Sequence, residues 1–107
     1  MRDYIHVCDL ADAHVLAMEA LLAGRCVGPR NLGSGRGHSN REILAGVESL
    51  TGRPLPLREA GRRPGDPPEL VADASRFREE FGWEPRFSDL ETLLSTAWRW
   101  LREWRQL

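Results

Sequence analysis

Two arginines and an aspartate stand within five residues, at Arg62-Arg63-Pro64-Gly65-Asp66, and these residue types suit the binding of an anionic ligand. Guanidinium groups pair with phosphate through parallel hydrogen bonds, and a carboxylate accepts hydrogen bonds from sugar hydroxyls. Pro64-Gly65 favours a tight turn, which would hold the side chains in place before a ligand arrives. On composition alone, a solvated pair of surface arginines is the commoner explanation for such a stretch.

The elements that must position this loop follow a mixed α/β order of short extended segments and helices. The predicted extended segments cover residues 4–7, 27–32, 54–57 and 70–71. The predicted helices begin at Asp9, at a Ser39–Glu42 capping box, at Asp73 and at a Ser88–Glu91 capping box, and the first three end near Gly24, Gly52 and Gly82. The strands are too few and too short for a complete sheet.

Composition narrows the class of protein. The chain has 107 residues, enough for one domain, and its net charge of −1 argues against a nucleic-acid-binding protein. The sequence contains neither an apolar run long enough for a membrane span nor a signal peptide at its first residues. Cys8 and Cys26 lack metal-binding spacing and are predicted to be buried or half-buried thiols of a cytoplasmic protein.

Several kinds of chemistry are disfavoured. All 15 basic residues are arginine, so lysine-dependent catalysis cannot occur within this chain, and Tyr4 is its only tyrosine. His6, His14 and His38 are scattered, which favours packed or surface histidines over a metal site. No nucleophile motif is present, and we therefore predict neither catalytic nor metal-binding residues.

Two further features admit alternatives. The loop Gly33–Gly37 lies between an extended segment and a helix, where it could bind phosphate, but its spacing differs from a dinucleotide-binding fingerprint and favours a structural turn. On the last helix, Trp98 and Leu101 are predicted to share a buried face, and Trp100 and Trp104 another. Packing against a partner surface explains these tryptophans better than base stacking does.

Three stretches of the chain, taken in order, resemble one family, the UDP-glucose 4-epimerases, which are extended short-chain dehydrogenase/reductases. They are residues 2–7 with 9–14, residues 31–37 with Ser39, and residues 62–66 with 72–75 and Gly82-Trp83. The resemblance covers essentially the whole chain. It implies that residues 1–107 form the C-terminal nucleotide-sugar-binding portion of such an α/β enzyme, without most of the dinucleotide-binding sheet.

The family's pattern implies a role for five residues. Arg2 and Arg63 would contact the UDP diphosphate, and Asp66 would accept hydrogen bonds from the uridine ribose. Tyr4 would support Arg2 and the uridine pocket. Leu70 falls where the family places a residue lining the sugar pocket, and leucine is a departure that leaves the acceptance of N-acetylated sugars open.

The resemblance also implies an activity for the full-length protein, the interconversion of UDP-glucose and UDP-galactose through a 4-keto intermediate. NAD would be bound by an N-terminal domain that this chain lacks, the full-length protein would be a homodimer, and this chain alone would be inactive. Met1 then looks like an internal methionine or a misassigned start. Two alternatives stay open: a portion of another UDP-sugar epimerase or decarboxylase, and a standalone, non-catalytic UDP-sugar-binding module.

Overall fold

The structure, a computed structural model, describes residues 1–105 of the chain. Its four helices are α1 (Val7–Leu22), α2 (Asn40–Thr51), α3 (Ser75–Phe81) and α4 (Leu90–Arg105). Within the described range no residue belongs to a strand, and the β-pairing consists of isolated bridges from Arg2 to His38 and to Leu70. The prediction of four helices is confirmed, whereas the strand part of the α/β prediction is wrong for residues 1–105.

The predicted strands fail because their backbone groups find other partners. The Leu55 amide donates to the Glu48 carboxylate at 3.1 Å, and the His6 amide donates to the Ser88 hydroxyl oxygen at 2.9 Å. Pro54 and Pro56 have no amide hydrogen to donate. A strand needs a neighbour along its length, and local β propensity does not supply one.

The first helix starts earlier than the sequence predicts. His6 is the N-cap of α1, and its Nδ1 accepts a hydrogen bond from the Cys8 amide at 3.0 Å. Asp9, the predicted cap, is instead a fully buried residue inside the first turn. Its carboxylate accepts hydrogen bonds from the Phe87 amide at 2.9 Å and from the Ser88 hydroxyl at 2.5 Å. Tertiary partners therefore determine the role of Asp9.

The second helix begins and ends as predicted. Ser39 and Glu42 form the reciprocal capping box, and Gly52 ends α2 in the left-handed conformation with φ of +68°. A side chain on Gly46 would come within 2.6 Å of Leu94 Cδ1, so this glycine lets α4 pack closely against α2. The close approach of α4 to α2 at Leu94, in the N-terminal half of α4, therefore requires glycine at position 46.

The last two helices use aspartates at their starts. Ala74 is the N-cap of α3, and the neighbouring Asp73 carboxylate accepts the Ser75 amide at 3.0 Å; hydrogen bonds from Ser75 lower the pKa of Asp73. The Asp89 carboxylate accepts the Thr92 amide at 3.0 Å and its hydroxyl at 2.8 Å, and these bonds lower the pKa of Asp89. The predicted Ser88–Glu91 box is therefore wrong.

A small aromatic core joins α1 to α3, and it consists of Ala13, Ala74, Phe77 and Trp83. The rings of Phe77 and Trp83 meet edge to face with centroids 5.7 Å apart. Phe81, one turn after Phe77, lies against it at 4.5 Å, as their spacing predicts. The Trp83 indole Nε1 donates to the Asp9 carbonyl at 3.0 Å, which satisfies its polar group inside the core.

Outside this core much apolar surface is exposed. The accessible area is 8504 Å², against about 6,000 Å² expected for a folded monomer of this mass. Val7, Leu22, Trp100 and Trp104 are all more than 60% exposed. Leu101 is 51% exposed and Trp98 36% exposed, so the prediction that the two share a buried face is wrong. This amount of uncovered apolar surface exceeds what is usual for an autonomous domain.

Two sequence predictions concern the environment of the protein. Cys8 and Cys26 are free thiols, as predicted, but both are exposed, so the prediction of buried or half-buried side chains is wrong. Among residues 1–105, no helix combines the length and the apolar character that crossing a bilayer requires.

Candidate functional site

The site is built on the short extended segment around Arg2, which lies between two other segments. The Arg2 amide donates to the His38 carbonyl at 3.0 Å, and the His38 amide donates back to Arg2 at 2.8 Å. On the other side, the Leu70 amide donates to the Met1 carbonyl at 2.9 Å. Three regions distant in sequence are thereby held side by side, and the side chain of Arg2 reaches the loop before Leu70.

That loop contains the turn that the sequence predicts. The Asp66 amide donates to the Arg63 carbonyl at 3.2 Å, and Gly65 has φ of +79°. Pro64 and Gly65 thus occupy the central positions of a type II turn, whose third residue requires a positive φ. The turn brings Arg63 and Asp66 to the same side, with Arg63 Nη2 at 3.6 Å from Asp66 Oδ2.

Asp66 is shared by two guanidinium groups. Arg2 Nη2 donates to Asp66 Oδ1 at 2.5 Å, while Arg2 Nη1 donates to the Pro67 carbonyl at 3.0 Å and to the Met1 carbonyl at 2.8 Å. These three hydrogen bonds fix the orientation of Arg2 and leave two of its five N–H donors for a ligand. Arg63 is 85% exposed, so most of its donors also face solvent.

These side chains line one open pocket with a volume of about 390 Å³. Its lining consists of Met1, Arg2, Tyr4, Asn40, Arg62, Arg63, Asp66, Pro67 and Pro68. Three guanidinium groups and one carboxylate meet there, so the formal charge of the lining is positive. A positive, partly enclosed surface with fork-shaped donors suits a phosphate-bearing ligand.

Of the five residues proposed from the sequence, the structure brings four together. Arg2, Tyr4, Arg63 and Asp66 all line the pocket. Leu70 is not in its lining; its amide pairs with Met1 and its side chain is 59% exposed.

Two lining residues were not assigned to the site from the sequence. Arg62 stands beside Arg63, so its proximity could have been inferred from the turn. Asn40 is the first residue of α2, and no signal in the sequence connects it with a loop more than twenty residues later. Only the tertiary structure places Asn40 in the same pocket lining as the arginines.

The loop Gly33–Gly37 serves the fold. The amides of Ser34 and Gly35 both donate to the carboxylate of Asp3, at 2.9 Å and 3.0 Å. Two donors that a phosphate would require are therefore already used, which agrees with the structural turn that its spacing favours. The loop is fixed to the segment that carries Arg2.

The three histidines have separate environments. His6 Nε2 contacts the Thr96 hydroxyl at 3.0 Å, and His14 Nδ1 contacts the Leu10 carbonyl at 2.6 Å. His38 is buried, with Nδ1 at 3.3 Å from a Glu42 oxygen. Within residues 1–105, no group of three His, Cys, Asp or Glu side chains is arranged to hold a metal ion.

No family model matches this chain, but individual proteins match it closely. The UDP-glucose 4-epimerase of Azospirillum brasilense is 48% identical over 106 residues, which are 99% of this chain and 30% of that protein. The UDP-glucose 4-epimerase of Streptococcus mutans serotype c is 45% identical over 100 residues, 94% of this chain and 30% of that protein.

A solved structure agrees with these relatives. The UDP-glucose 4-epimerase of Stenotrophomonas maltophila, with bound NAD and formylated UDP-arabinopyranose, superposes with a TM-score of 0.89 and 43% identity over 98% of this chain. The chain is homologous to the C-terminal part of UDP-glucose 4-epimerases. It spans about 30% of the length of these epimerases, and the resemblance inferred from three sequence motifs is confirmed.

Proposed function

We propose that this chain is the nucleotide-sugar-binding portion of a UDP-glucose 4-epimerase, and that it holds the UDP part of UDP-glucose and UDP-galactose. The observation that carries the proposal is the meeting of Arg2, Arg63 and Asp66 in one pocket, although Arg2 and Asp66 are 64 residues apart in the sequence. Homology to UDP-glucose 4-epimerases supports it independently.

The proposed contacts follow from the free donors and acceptors. Arg2 and Arg63 bind the diphosphate through guanidinium N–H groups that the fold leaves unused. Asp66 orients Arg2 through one oxygen, and its remaining lone pairs accept hydrogen bonds from the uridine ribose. Tyr4 supports Arg2 and the uridine, and Leu70 lies towards the sugar.

Firm anchoring of UDP suits an epimerase, because the 4-keto sugar must rotate to present its other face while the nucleotide stays bound. Charge-assisted hydrogen bonds contribute about 1.5–3 kcal/mol each, so two arginines supply a large part of that anchoring. NAD, bound by another part of the whole protein, would exchange the hydride at the sugar C4. This chain has no lysine, and the amides of its glycine loop are occupied by Asp3, so we assign it neither the proton transfer nor the NAD site.

The whole protein is accordingly proposed to be a cytoplasmic, homodimeric, NAD-dependent isomerase, with this chain inactive alone. Uncovered apolar surface on α1 and α4 supports a role as part of a larger protein, since other parts of the enzyme would cover it. UDP-glucose and UDP-galactose are its proposed ligands, and nucleic acid and membrane are not.

Titration of this chain with UDP by calorimetry tests the anchoring role. Replacing Arg63 with Ala is expected to weaken UDP binding about 10- to 100-fold, because one charge-assisted contact is lost. Arg58→Ala, which removes an exposed arginine outside the pocket, is the matched control and is expected to leave the dissociation constant unchanged. Equal affinities of the Arg63→Ala variant and the unaltered chain would remove Arg63 from the site.

A chimera tests the activity. This chain replaces its homologous 106 residues in the Azospirillum brasilense epimerase, and the product is expected to convert UDP-glucose to UDP-galactose. The same assay across UDP-glucuronate and other UDP-sugars separates an epimerase of glucose from a related epimerase or decarboxylase. UDP binding without any turnover in the chimera would favour a binding module.

A further inference from the structure

The half-buried carboxylate of Asp3, the residue after Arg2, accepts four hydrogen bonds. Its Oδ1 accepts the Ser34 amide at 2.9 Å and the Ser34 hydroxyl at 2.6 Å. Its Oδ2 accepts the Gly35 amide at 3.0 Å and the Ala72 amide at 3.2 Å. These bonds use the lone pairs of both carboxylate oxygens and come from two segments, one on each side of Asp3.

The two segments are those that flank Arg2. Ser34 and Gly35 precede His38, which pairs with Arg2 on one side, and Ala72 follows Leu70, which pairs on the other. Side chains alternate between faces along extended backbone, so Arg2 reaches the pocket while Asp3 occupies the opposite face. Asp3 thus joins, from behind, the same three segments that form the base of the pocket.

Gly33 shows independently how closely these segments approach one another. A side chain at this position would come within 2.6 Å of both Asp3 Oδ2 and the Ala72 side chain. Gly33 is buried, so an added methyl group could not turn out into solvent. The glycine therefore permits the approach that the Asp3 carboxylate maintains.

The β-pairing itself is weak. Arg2 has a single bridge on each side, and the described residues contain no ladder that would reinforce either one. Isolated pairing of this kind is marginal in water, whereas hydrogen bonds to a carboxylate are stronger than those between neutral groups. The distance between Arg2 and the loop that carries Arg63 consequently depends on what holds the three segments together.

We propose that Asp3 is a positioning residue for the UDP site, which sets the place of Arg2 relative to Arg63 and Asp66. The proposal rests on the proposed function, since it concerns how the diphosphate is held. Asp3 itself faces away from the pocket and does not contact the ligand.

Amide hydrogen exchange measured by NMR on this chain tests the structural step. In Asp3→Asn and Asp3→Ala variants, the amides of His38 and Leu70 are expected to exchange at least about tenfold faster, because their hydrogen bonds open more often. Amides in the middle of α1 are expected to keep their protection. Glu69→Gln, which removes an exposed carboxylate next to Leu70, is the matched control and should change neither group.

Binding of UDP and of uridine tests the functional step. Misplacement of Arg2 is expected to raise the dissociation constant for UDP roughly tenfold and to leave that for uridine nearly unchanged, since only UDP carries the diphosphate. An equal loss for both ligands, or faster exchange throughout α1, would mean that Asp3 merely supports the fold. Unchanged amide exchange at His38 and Leu70 in Asp3→Ala would overturn the inference about Asp3 and would leave the proposed function standing. Failure of the unaltered chain to bind UDP would overturn the proposed function, and with it the role of Asp3 in binding.

Discussion

The aromatic core and the arginine pocket use polar groups in opposite ways. Around the core, the Trp83 indole donates to Asp9, and the Asp9 carboxylate is satisfied by Phe87 and Ser88, so these polar groups bind one another out of contact with water. In the loop that carries the Arg63–Asp66 turn, every residue from 56 to 70 is exposed, and Arg63 is 85% exposed. Hydrogen-bonding capacity is used for folding in the first region and is left for a ligand in the second.

The largest effect expected from this contrast follows removal of the core tryptophan. Trp83 is 2% exposed and contacts Phe77, so Trp83→Ala leaves a cavity and removes the indole hydrogen bond to the Asp9 carbonyl. We expect the free energy of unfolding to fall by about 3–5 kcal/mol, which is enough to unfold a marginally stable chain. Urea denaturation followed by circular dichroism measures it. Trp104→Ala, at a site that is 62% exposed, is the control and should change stability by less than about 0.5 kcal/mol. Similar losses for both variants would contradict the assignment of the core.

A smaller loss is expected from Asp9→Asn. The neutral amide oxygen replaces a charged acceptor of the Phe87 amide and the Ser88 hydroxyl. The new NH2 group takes the place of Oδ1, which accepts the Phe87 amide at 3.2 Å, so two donors then face each other in a buried site. The expected cost is about 1–3 kcal/mol of unfolding free energy, measured in the same denaturation assay. Asp12→Asn, on the same helix with an exposed partner, Arg86, should cost much less. Equal costs would show that the buried hydrogen bonds of Asp9 contribute little.

The same contrast explains which parts of the fold could be predicted. The capping box of Ser39 and Glu42 and the left-handed Gly52 and Gly82 involve residues close in sequence, and all were predicted correctly. The equivalent pattern at Ser88 was misleading, because its hydroxyl binds Asp9, 79 residues away. Local signals decide helix ends only where no distant partner competes for them.

In the pocket, too, contacts between residues close in sequence were predictable from local patterns, and contacts between distant residues were not. Arg63 and Asp66 share one turn, and the family resemblance links them with Arg2 through sequence motifs alone. Asn40 was missed because its place in the pocket depends on the bridge between Arg2 and His38, a contact across 36 residues. The predicted strands failed for a related reason, since pairing depends on neighbours that local sequence does not reveal.

An acid-dependent loss of stability is expected from the ion pair between Glu80 and Arg30. Arg30 donates to both Glu80 oxygens, and this hydrogen bonding lowers the pKa of Glu80 below its usual 4.5. The pair therefore stabilises the fold above pH 4.5, and its contribution disappears as the pH falls through the lowered pKa. Urea midpoints measured from about pH 7 to about pH 3 should fall less steeply for Glu80→Gln than for the unaltered chain. Glu79→Gln is the neighbouring control, and its urea midpoint should fall with pH as steeply as that of the unaltered chain. An equally steep fall for Glu80→Gln would mean that the Arg30–Glu80 pair does not contribute to the acid response.

The smallest effect on stability is expected in the pocket, and it sharpens the comparison most directly. Arg63 is 85% exposed and 3.6 Å from Asp66, so Arg63→Ala removes only a weak surface ion pair and should change the unfolding free energy by less than about 0.5 kcal/mol. If Arg63→Ala weakens UDP binding while its urea midpoint stays constant, the arginine serves the ligand rather than the fold. A clear loss of stability would mean instead that the turn depends on the ion pair between Arg63 and Asp66. The contrast between a core whose polar groups bind one another and a pocket whose polar groups are left for a ligand would then not hold.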